Sequence, residues 1–353
     1  MMSTTTHTTG SKKLAAAVAV AALAVTACGN EASADDADGD FGDLEVPLSW
    51  IKTAEFAGNY FAEDNGYYEE AGFESVNLIS GGPSATPSAT QLATGTGLAA
   101  LSNPVDTGSF IEAEGDDVDI KIIGSVFQTN AFSIFSLADN PASEPDDLTE
   151  MTVGVAPNNE GVFYAFLDAN DLDPDDVEVV TAGGDASGLI TGEYDAYIGY
   201  ATNQAISVEL DGHDLEHMML HENGLPFAAG SIITTQETID SDRETLKAFL
   251  EATIRGWHDA LEDDDEAARI TVEDHGADQG LDMEHQVVTA ERQAELIADE
   301  WTAEHGLLTM SDEAITDSIE SVRLVGYDVP DDLFDLSLVE EVYEENPDLM
   351  EHP

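Results

Sequence analysis

Between Met151 and Leu210, short apolar runs alternate with helical stretches, and this alternation confines the chain to a largely parallel sheet covered by helices on both faces. Met151 to Ala156 reads as a strand, Gly161 to Ala169 as a helix and Val177 to Val180 as a strand. Asp185 to Ile190 is a short helix, Ala196 to Tyr200 a strand and Asn203 to Leu210 a helix, with Leu215 to Leu220 as a further strand. The first half keeps the same rhythm less cleanly. Leu44, Val46, Leu48 and Trp50 alternate with polar residues, interrupted by Pro47, which cannot donate to a central ladder. Ala54 to Tyr68 is expected as one helix and Ser75 to Ile79 as a strand, followed by the turn Gly81-Gly82-Pro83-Ser84 before another helix. Leu98 to Leu101 and Ile120 to Ile123 suit buried strands. The run continues through Phe127 to Leu137, which reads as one connecting strand between two lobes, and Phe227 to Thr234 returns extended. The remainder is mainly helical. Leu246, Phe249, Leu250, Ile254, Trp257 and Leu261 share one helix face, leaving Trp257 and His258 to packing and surface. Further helices are expected over Met283 to Glu304 and Asp312 to Val325. At 353 residues, and about 150 residues per domain, the fold class is α/β in two doubly wound lobes with a mainly helical C-terminal part.

Charge narrows the setting. The chain carries 74 Asp plus Glu against 10 Lys plus Arg, a formal net charge of -64, yet 42% of its residues are hydrophobic. Such acidity belongs on a folded surface rather than in a disordered chain. The acids run from Glu31 to Glu351 without clustering. That spread favours adaptation to high salt, where self-repulsion is screened over about 3 Å at 1 M, above an acidic docking face. It also excludes the basic footprint of a nucleic-acid binder.

The N-terminus supplies an address. Lys12 and Lys13 precede an apolar run from Leu14 to Ala27, too short for a comfortable span and suited to a signal sequence. Val25-Thr26-Ala27-Cys28 has the form of a lipobox, in which cleavage leaves a lipid on Cys28. Residues 1–28 are therefore expected as signal peptide and lipobox, and 29–43 as an acidic flexible tether. Cys28 is the sole cysteine, so no intrachain disulfide forms.

No G-x-S-x-G elbow, Walker loop, dinucleotide fingerprint or H-E-x-x-H occurs. His213, His217 and His221 recur every four residues and would align on a helix as a metal face; a strand would scatter them, and neither metal nor cofactor is expected. Two strand–loop–helix junctions carry ligand-friendly residues instead. One is Trp50 to Tyr60 with Gly81 to Ser84 beside it; the other is Pro157-Asn158-Asn159-Glu160-Gly161. Ligands of open α/β sheets bind beyond the carboxyl ends of strands, at such loops.

Five stretches carry a family resemblance. Trp50 with Phe56-Ala57-Gly58-Asn59-Tyr60, the run Asp64 to Phe73, and Gly81-Gly82-Pro83 are the first three. Gly192-Glu193-Tyr194-Asp195-Ala196 with Tyr200 to Gln204, and Phe249 to Trp257, complete them. In this order they resemble the type II solute-binding proteins that serve importers of thiamine-pyrimidine precursors, riboflavin, alkanesulfonates, taurine and nitrate. The resemblance runs from about Leu44 to Leu324. Lys52, Thr53, Phe56, Gln204 and Gly97 to Leu101 depart from the family pattern. It implies two α/β lobes joined by two crossing strands, the type II periplasmic-binding-protein fold, with lobe 1 over 44–130 and 230–345 and lobe 2 over 131–229. It further implies a monomer that is not an enzyme, held by its lipid at the outer face of the cell membrane and partnered by an ABC-importer permease.

Within that cleft, Trp50, Phe56, Tyr60, Tyr164 and Tyr200 offer flat faces, and Asn103, Gln128, Asn130, Asn158 and Asn203 offer hydrogen bonds. Glu55, Gly82, Pro83 and Glu160 complete the candidate set. Loss of Lys12 and Lys13 with the signal leaves eight of the ten basic residues, and only Lys52 and Lys121 precede Arg243. Scarce cations favour a heteroaromatic nutrient, such as a thiamine-pyrimidine precursor or a riboflavin-like compound, above a sulfonate, taurine or nitrate. A ligand-sensing ectodomain stays open. A pyrimidine-synthase-like enzyme of related fold uses a cysteine-rich iron motif, which one cysteine does not supply.

Overall fold

Leu44, Val46 and Leu48 are buried, while Asp43 and Glu45 face solvent, which makes β1 (Gly42–Pro47) the half-buried strand that its alternation predicts. Pro47 takes its last position, where a missing N–H costs least. The computed structural model describes residues 41–82, 85–115 and 119–351, all within one compact unit, Asp38–Pro353. The signal peptide and lipobox with Cys28, the tether up to residue 40, and Pro83 and Ser84 of the turn lie outside the described residues. Among those described, no helix is long and apolar enough to cross a membrane.

β1 pairs in parallel with β2 (Phe73–Ile79). Beside this ribbon stand β3 (Ala100–Ser102) and β4 (Ile120–Phe127). The second sheet holds β5 (Phe132–Leu137), β6 (Thr152–Val155), β7 (Glu178–Thr181), β8 (Ala196–Tyr200) and β9 (Leu215–Met219), in the order β7-β6-β8-β5-β9. β10 (Ala229–Thr235) then returns to the first lobe and inserts between β3 and β4, antiparallel to both. β5 is likewise antiparallel to β8 and β9, whereas β6 is parallel to β7 and β8. One cause explains both exceptions to the parallel pattern. The antiparallel strand of each lobe is the one that enters from the other.

The expected single strand over Phe127 to Leu137 is instead two, β4 and β5, separated by residues 128–131. Asn130 explains the break. Its Nδ2 donates to the carbonyls of Leu225 (3.0 Å) and Phe227 (3.1 Å) in the returning crossing, and its Oδ1 accepts from the Phe132 N–H (3.1 Å). The two crossings are thereby tied side by side.

Other boundaries shift for local reasons. The helix expected over Ala54 to Tyr68 ends at Asp64 and resumes at Tyr67, because Gly66 takes φ 76°, in the left-handed region. The helix expected from Met283 to Glu304 breaks into Met283–Ile297 and Glu300–His305, where Asp299 caps the second piece. Phe41 packs on Phe73, with ring centroids 5.4 Å apart, so 41–43 belong to the folded lobe rather than to the tether. Trp257 is 1% exposed and His258 is also buried, against the surface expectation for the latter. Trp257 lies over Gly58, where an added Cβ would stand 2.3 Å from the indole. Gly256 would place its Cβ 2.0 Å from the Gly58 carbonyl. The helices Ala57–Asp64 and Arg243–Glu262 therefore meet backbone to backbone, which only glycine permits.

Candidate ligand cleft

The carboxyl ends of parallel strands from both lobes converge on one cavity of about 130 Å³. β1 leads into Ser49 and Trp50, and the turn after it presents Glu55. β3 ends in Ser102 and Asn103, from which the helix Pro104–Glu114 starts. Asn103 is its N-cap: Oδ1 accepts from the Asp106 N–H (2.9 Å), while Nδ2 donates to the Asp106 carboxylate (2.7 Å). From the second lobe, β6 ends in the loop bearing Asn158 and Asn159, and β8 ends in Tyr200, followed by Asn203 and Gln204. Gln204 accepts the Tyr200 N–H at 2.8 Å, which fixes that turn. Phe132 meets Tyr200 edge-on at 4.6 Å, and Val105 and Val162 complete the apolar wall.

The polar lining is acceptor-rich. Among the described residues no Lys, Arg or His borders the cavity, while Glu55 and Asp106 do. Burial pushes the Glu55 carboxyl up to about 7. Asp106 opens to the cleft, yet protein from both lobes stands close around it; that desolvation raises its carboxyl against the lowering effect of the Asn103 bond. Burial holds the Tyr200 hydroxyl far above its usual range, reinforced by the charges of Glu55 and Asp106. The three groups share one field.

Two lysines are occupied elsewhere. Lys121 is buried beneath Asp119 and Asp332, and Lys247 beneath Glu244 and Glu345.

Six of the predicted site residues come together here: Trp50, Glu55, Asn103, Asn158, Tyr200 and Asn203. The others do not. Phe56 and Tyr60 are core, with Tyr60 Oη donating to the Thr53 carbonyl (3.0 Å) and its ring stacked on His275. Gln128 donates to the Thr309 carbonyl (3.0 Å), and Asn130 serves the crossing. Glu160 and Tyr164 are one helical turn apart on the outer face, with Tyr164 42% exposed, while Val162 turns inward. Gly82 packs on Ile51 outside the lining. The residues missed are chiefly Asp106, Phe132 and Gln204. Asn103-Pro104 followed by Asp106 is a helix-start pattern after a strand, and it would have flagged Asp106. Nothing local marks Phe132.

The histidine run falls on β9 and its flanks, which spaces the rings roughly 13 Å apart along the strand. His217 bonds Glu209 (3.2 Å), and His221 bonds the Asn130 carbonyl (3.2 Å). Among the described residues no group of three or more His, Cys, Asp or Glu is placed to hold a metal ion.

Residues 53–267 match the model of the family described as "NMT1/THI5 like". A formylaminopyrimidine-binding protein of Halalkalibacterium halodurans is 26% identical over 257 residues, covering 71% of this chain and 76% of that protein. A riboflavin-binding protein, RibY, of Chloroflexus aurantiacus is 24% identical over 288 residues, covering 80% and 81%. Among solved structures, the periplasmic aliphatic sulphonate binding protein SsuA of Escherichia coli superposes with a TM-score of 0.64 at 11% identity, over 83% of this chain and 96% of that one. The desulfurization enzyme DSZB does so at 0.56 and 13%, over 86% and 99%. The two-lobed fold is thus that of periplasmic binding proteins, and one enzyme shares it.

Proposed function

The chain belongs to the NMT1/THI5-like family, and from that premise we propose that it is an extracytoplasmic solute-binding protein of an ABC importer, capturing a small heteroaromatic nutrient between its lobes. One observation carries the ligand class: aromatic side chains and two desolvated carboxyl groups line the cleft, and no cation among the described residues does. A sulfonate or nitrate would lie against Glu55 and Asp106 with nothing of opposite charge to offset its desolvation, and the ionised fraction of either carboxyl repels it. An aminopyrimidine offers what this lining lacks. Its N–H donors meet the carboxyl groups and the amide oxygens of Asn103, Asn158 and Asn203, and its ring lies against Trp50 and Tyr200. The pyrimidine and flavin ligands named for the two sequence relatives support the same class. The sulfonate-binding neighbour shares the fold alone.

The chain is read as a binder rather than a catalyst. The signal sequence and the lipobox ending at Cys28 support delivery to the outer face of the membrane on a lipid anchor, where a permease receives the ligand. Mass spectrometry of small molecules released from natively purified protein tests the reading. A nitrogen heteroaromatic is the expected passenger; recovery of a sulfonate or nitrate in stoichiometric amount overturns it.

A further inference from the structure

The helix Met283–Ile297 belongs to the first lobe yet touches the wall of the second through a regular series of bonds. Three consecutive carbonyls after β8 each lie within hydrogen-bond distance of one of its side chains. Arg292 Nη1 donates to Ala201 (2.8 Å) and His285 Nε2 to Asn203 (3.1 Å), while the single proton of Thr289 Oγ1 is shared between Thr202 (3.1 Å) and the His285 carbonyl of its own helix (2.9 Å). Positions 285, 289 and 292 share one helix face. The strip they hold joins Tyr200 to Gln204, and Asn203 itself lines the cleft.

An adjacent face of the same helix grips the opposite wall. Gln286 Oε1 accepts the Ala54 N–H (2.8 Å) and Gln293 Nε2 donates to the Ala54 carbonyl (2.7 Å), both buried. Ala54 directly precedes Glu55. At the helix end nearest the crossing strands, the Leu296 carbonyl accepts the Gln128 N–H (2.7 Å). The rungs therefore run outward from the crossing, at 296, 292, 289 and 285. Of the arginines and lysines with hydrogen bonds among the described residues, only Arg292 reaches the other lobe, where it also pairs with Glu209.

The bonds define the state of His285. A carbonyl only accepts, so Nε2 carries the proton toward Asn203. The Gln286 oxygen is already used by Ala54, so its amide nitrogen donates to His285 Nδ1 (3.1 Å). The ring is neutral, and burial lowers its pKa in keeping with that.

We propose that this helix is the positioning element of the cleft, with Arg292, Thr289 and His285 as positioning residues. They set the spacing between the carboxyl wall at Glu55 and the aromatic wall at Tyr200, and so hold the lobes close to their binding arrangement. Affinity then depends on residues that do not border the cavity, because a smaller competent fraction weakens apparent binding in proportion. The affinity arm of the test rests on the ligand reading above; the spacing arm does not.

The test measures the distance between spin labels at Glu74→Cys in the first lobe and Glu178→Cys in the second, in full-length Cys28→Ser protein without ligand. Both label sites are exposed. Arg292→Lys keeps the charge but loses the fork, and Thr289→Val keeps the volume but loses the donor. Each variant is expected to lengthen or broaden the interlobe distance distribution and to weaken formylaminopyrimidine binding about three- to tenfold. Arg323→Lys, whose wild-type bonds stay within the first lobe at Val329 and Asp331, should change neither. Distributions that stay unchanged in both variants, in protein that melts like the parent, overturn the proposal. So does an equal shift in the Arg323→Lys control. An altered distribution in protein that binds no formylaminopyrimidine upholds the positioning role and removes the ligand assignment instead.

Discussion

Replacing Glu55 by Gln separates the two things a carboxyl group brings to the cleft, its hydrogen-bonding pattern and its proton. In the ligand-free protein burial raises Glu55 to about 7, so the group is half protonated near neutrality. An aminopyrimidine edge presents a ring nitrogen beside an amino group. A neutral carboxyl matches it, donating to the ring nitrogen and accepting from the amine. Above Glu55's pKa the free carboxylate has lost that proton and must regain one on binding. Affinity therefore falls as pH rises through about 7, approaching tenfold per pH unit. Just below that pH it levels off, because the proton is already in place. Gln presents the same donor and acceptor without titrating. Glu55→Gln should bind with a flat profile between about pH 6 and 9 and overtake the wild type at the alkaline end. Glu55→Ala removes both bonds and should lose about 1.5–3 kcal/mol, or roughly 10- to 150-fold in Kd, at every pH where the wild type is protonated. Titration calorimetry in buffers of different ionisation enthalpy reads both affinity and proton uptake. A wild-type profile that is flat, or that strengthens with rising pH, refutes this reasoning.

Trp50→Ala should weaken heteroaromatic binding by about 1–3 kcal/mol, or five- to 150-fold, with the fold intact because Trp50 is only partly buried at the strand end; tryptophan-fluorescence titration checks it. Asn130→Ala strips three bonds from the paired crossings and should lower unfolding free energy by about 2–4 kcal/mol; an unchanged urea midpoint would contradict its assigned role. Thermal midpoints should climb steeply between about 0.1 M and 2 M KCl as self-repulsion from the net charge of -64 is screened, whereas a flat response removes the salt-adaptation reading. Cys28→Ser should free the protein from membranes or leave it as precursor; mature-length protein that stays membrane-bound would end the lipid-anchor reading.

The second lobe was legible because short apolar segments in β6, β7 and β8 alternate with helical stretches and turn residues. β8 falls on its expected limits, as does the first-lobe helix Asp312–Val325, and β6, β7 and β9 fall within a residue or two at each end. What escaped was decided by single side chains acting over long sequence distances. The break between β4 and β5 depends on Asn130 meeting residues 95 and 97 positions away. Periodicity carries no trace of such a contact. In the cleft, Trp50, Asn103, Asn158 and Tyr200 could be anticipated because each ends or follows a strand. Tyr164 sits in the right segment but on the wrong face, since the 160–169 helix turns Val162 inward. Asp106 was hidden by composition. One carboxylate among 74 acidic residues stands out only once the fold desolvates it.

The central claim, that an acceptor-rich aromatic cleft selects a neutral heteroaromatic solute, is tested most directly by calorimetric titration of the purified protein near pH 7. Formylaminopyrimidine and riboflavin would be run in parallel with an alkanesulfonate and nitrate. The account predicts saturable one-to-one binding of one of the heteroaromatic compounds, competed by no excess of either anion. Tight binding of the alkanesulfonate or nitrate, with no heat from either heteroaromatic compound, would contradict it.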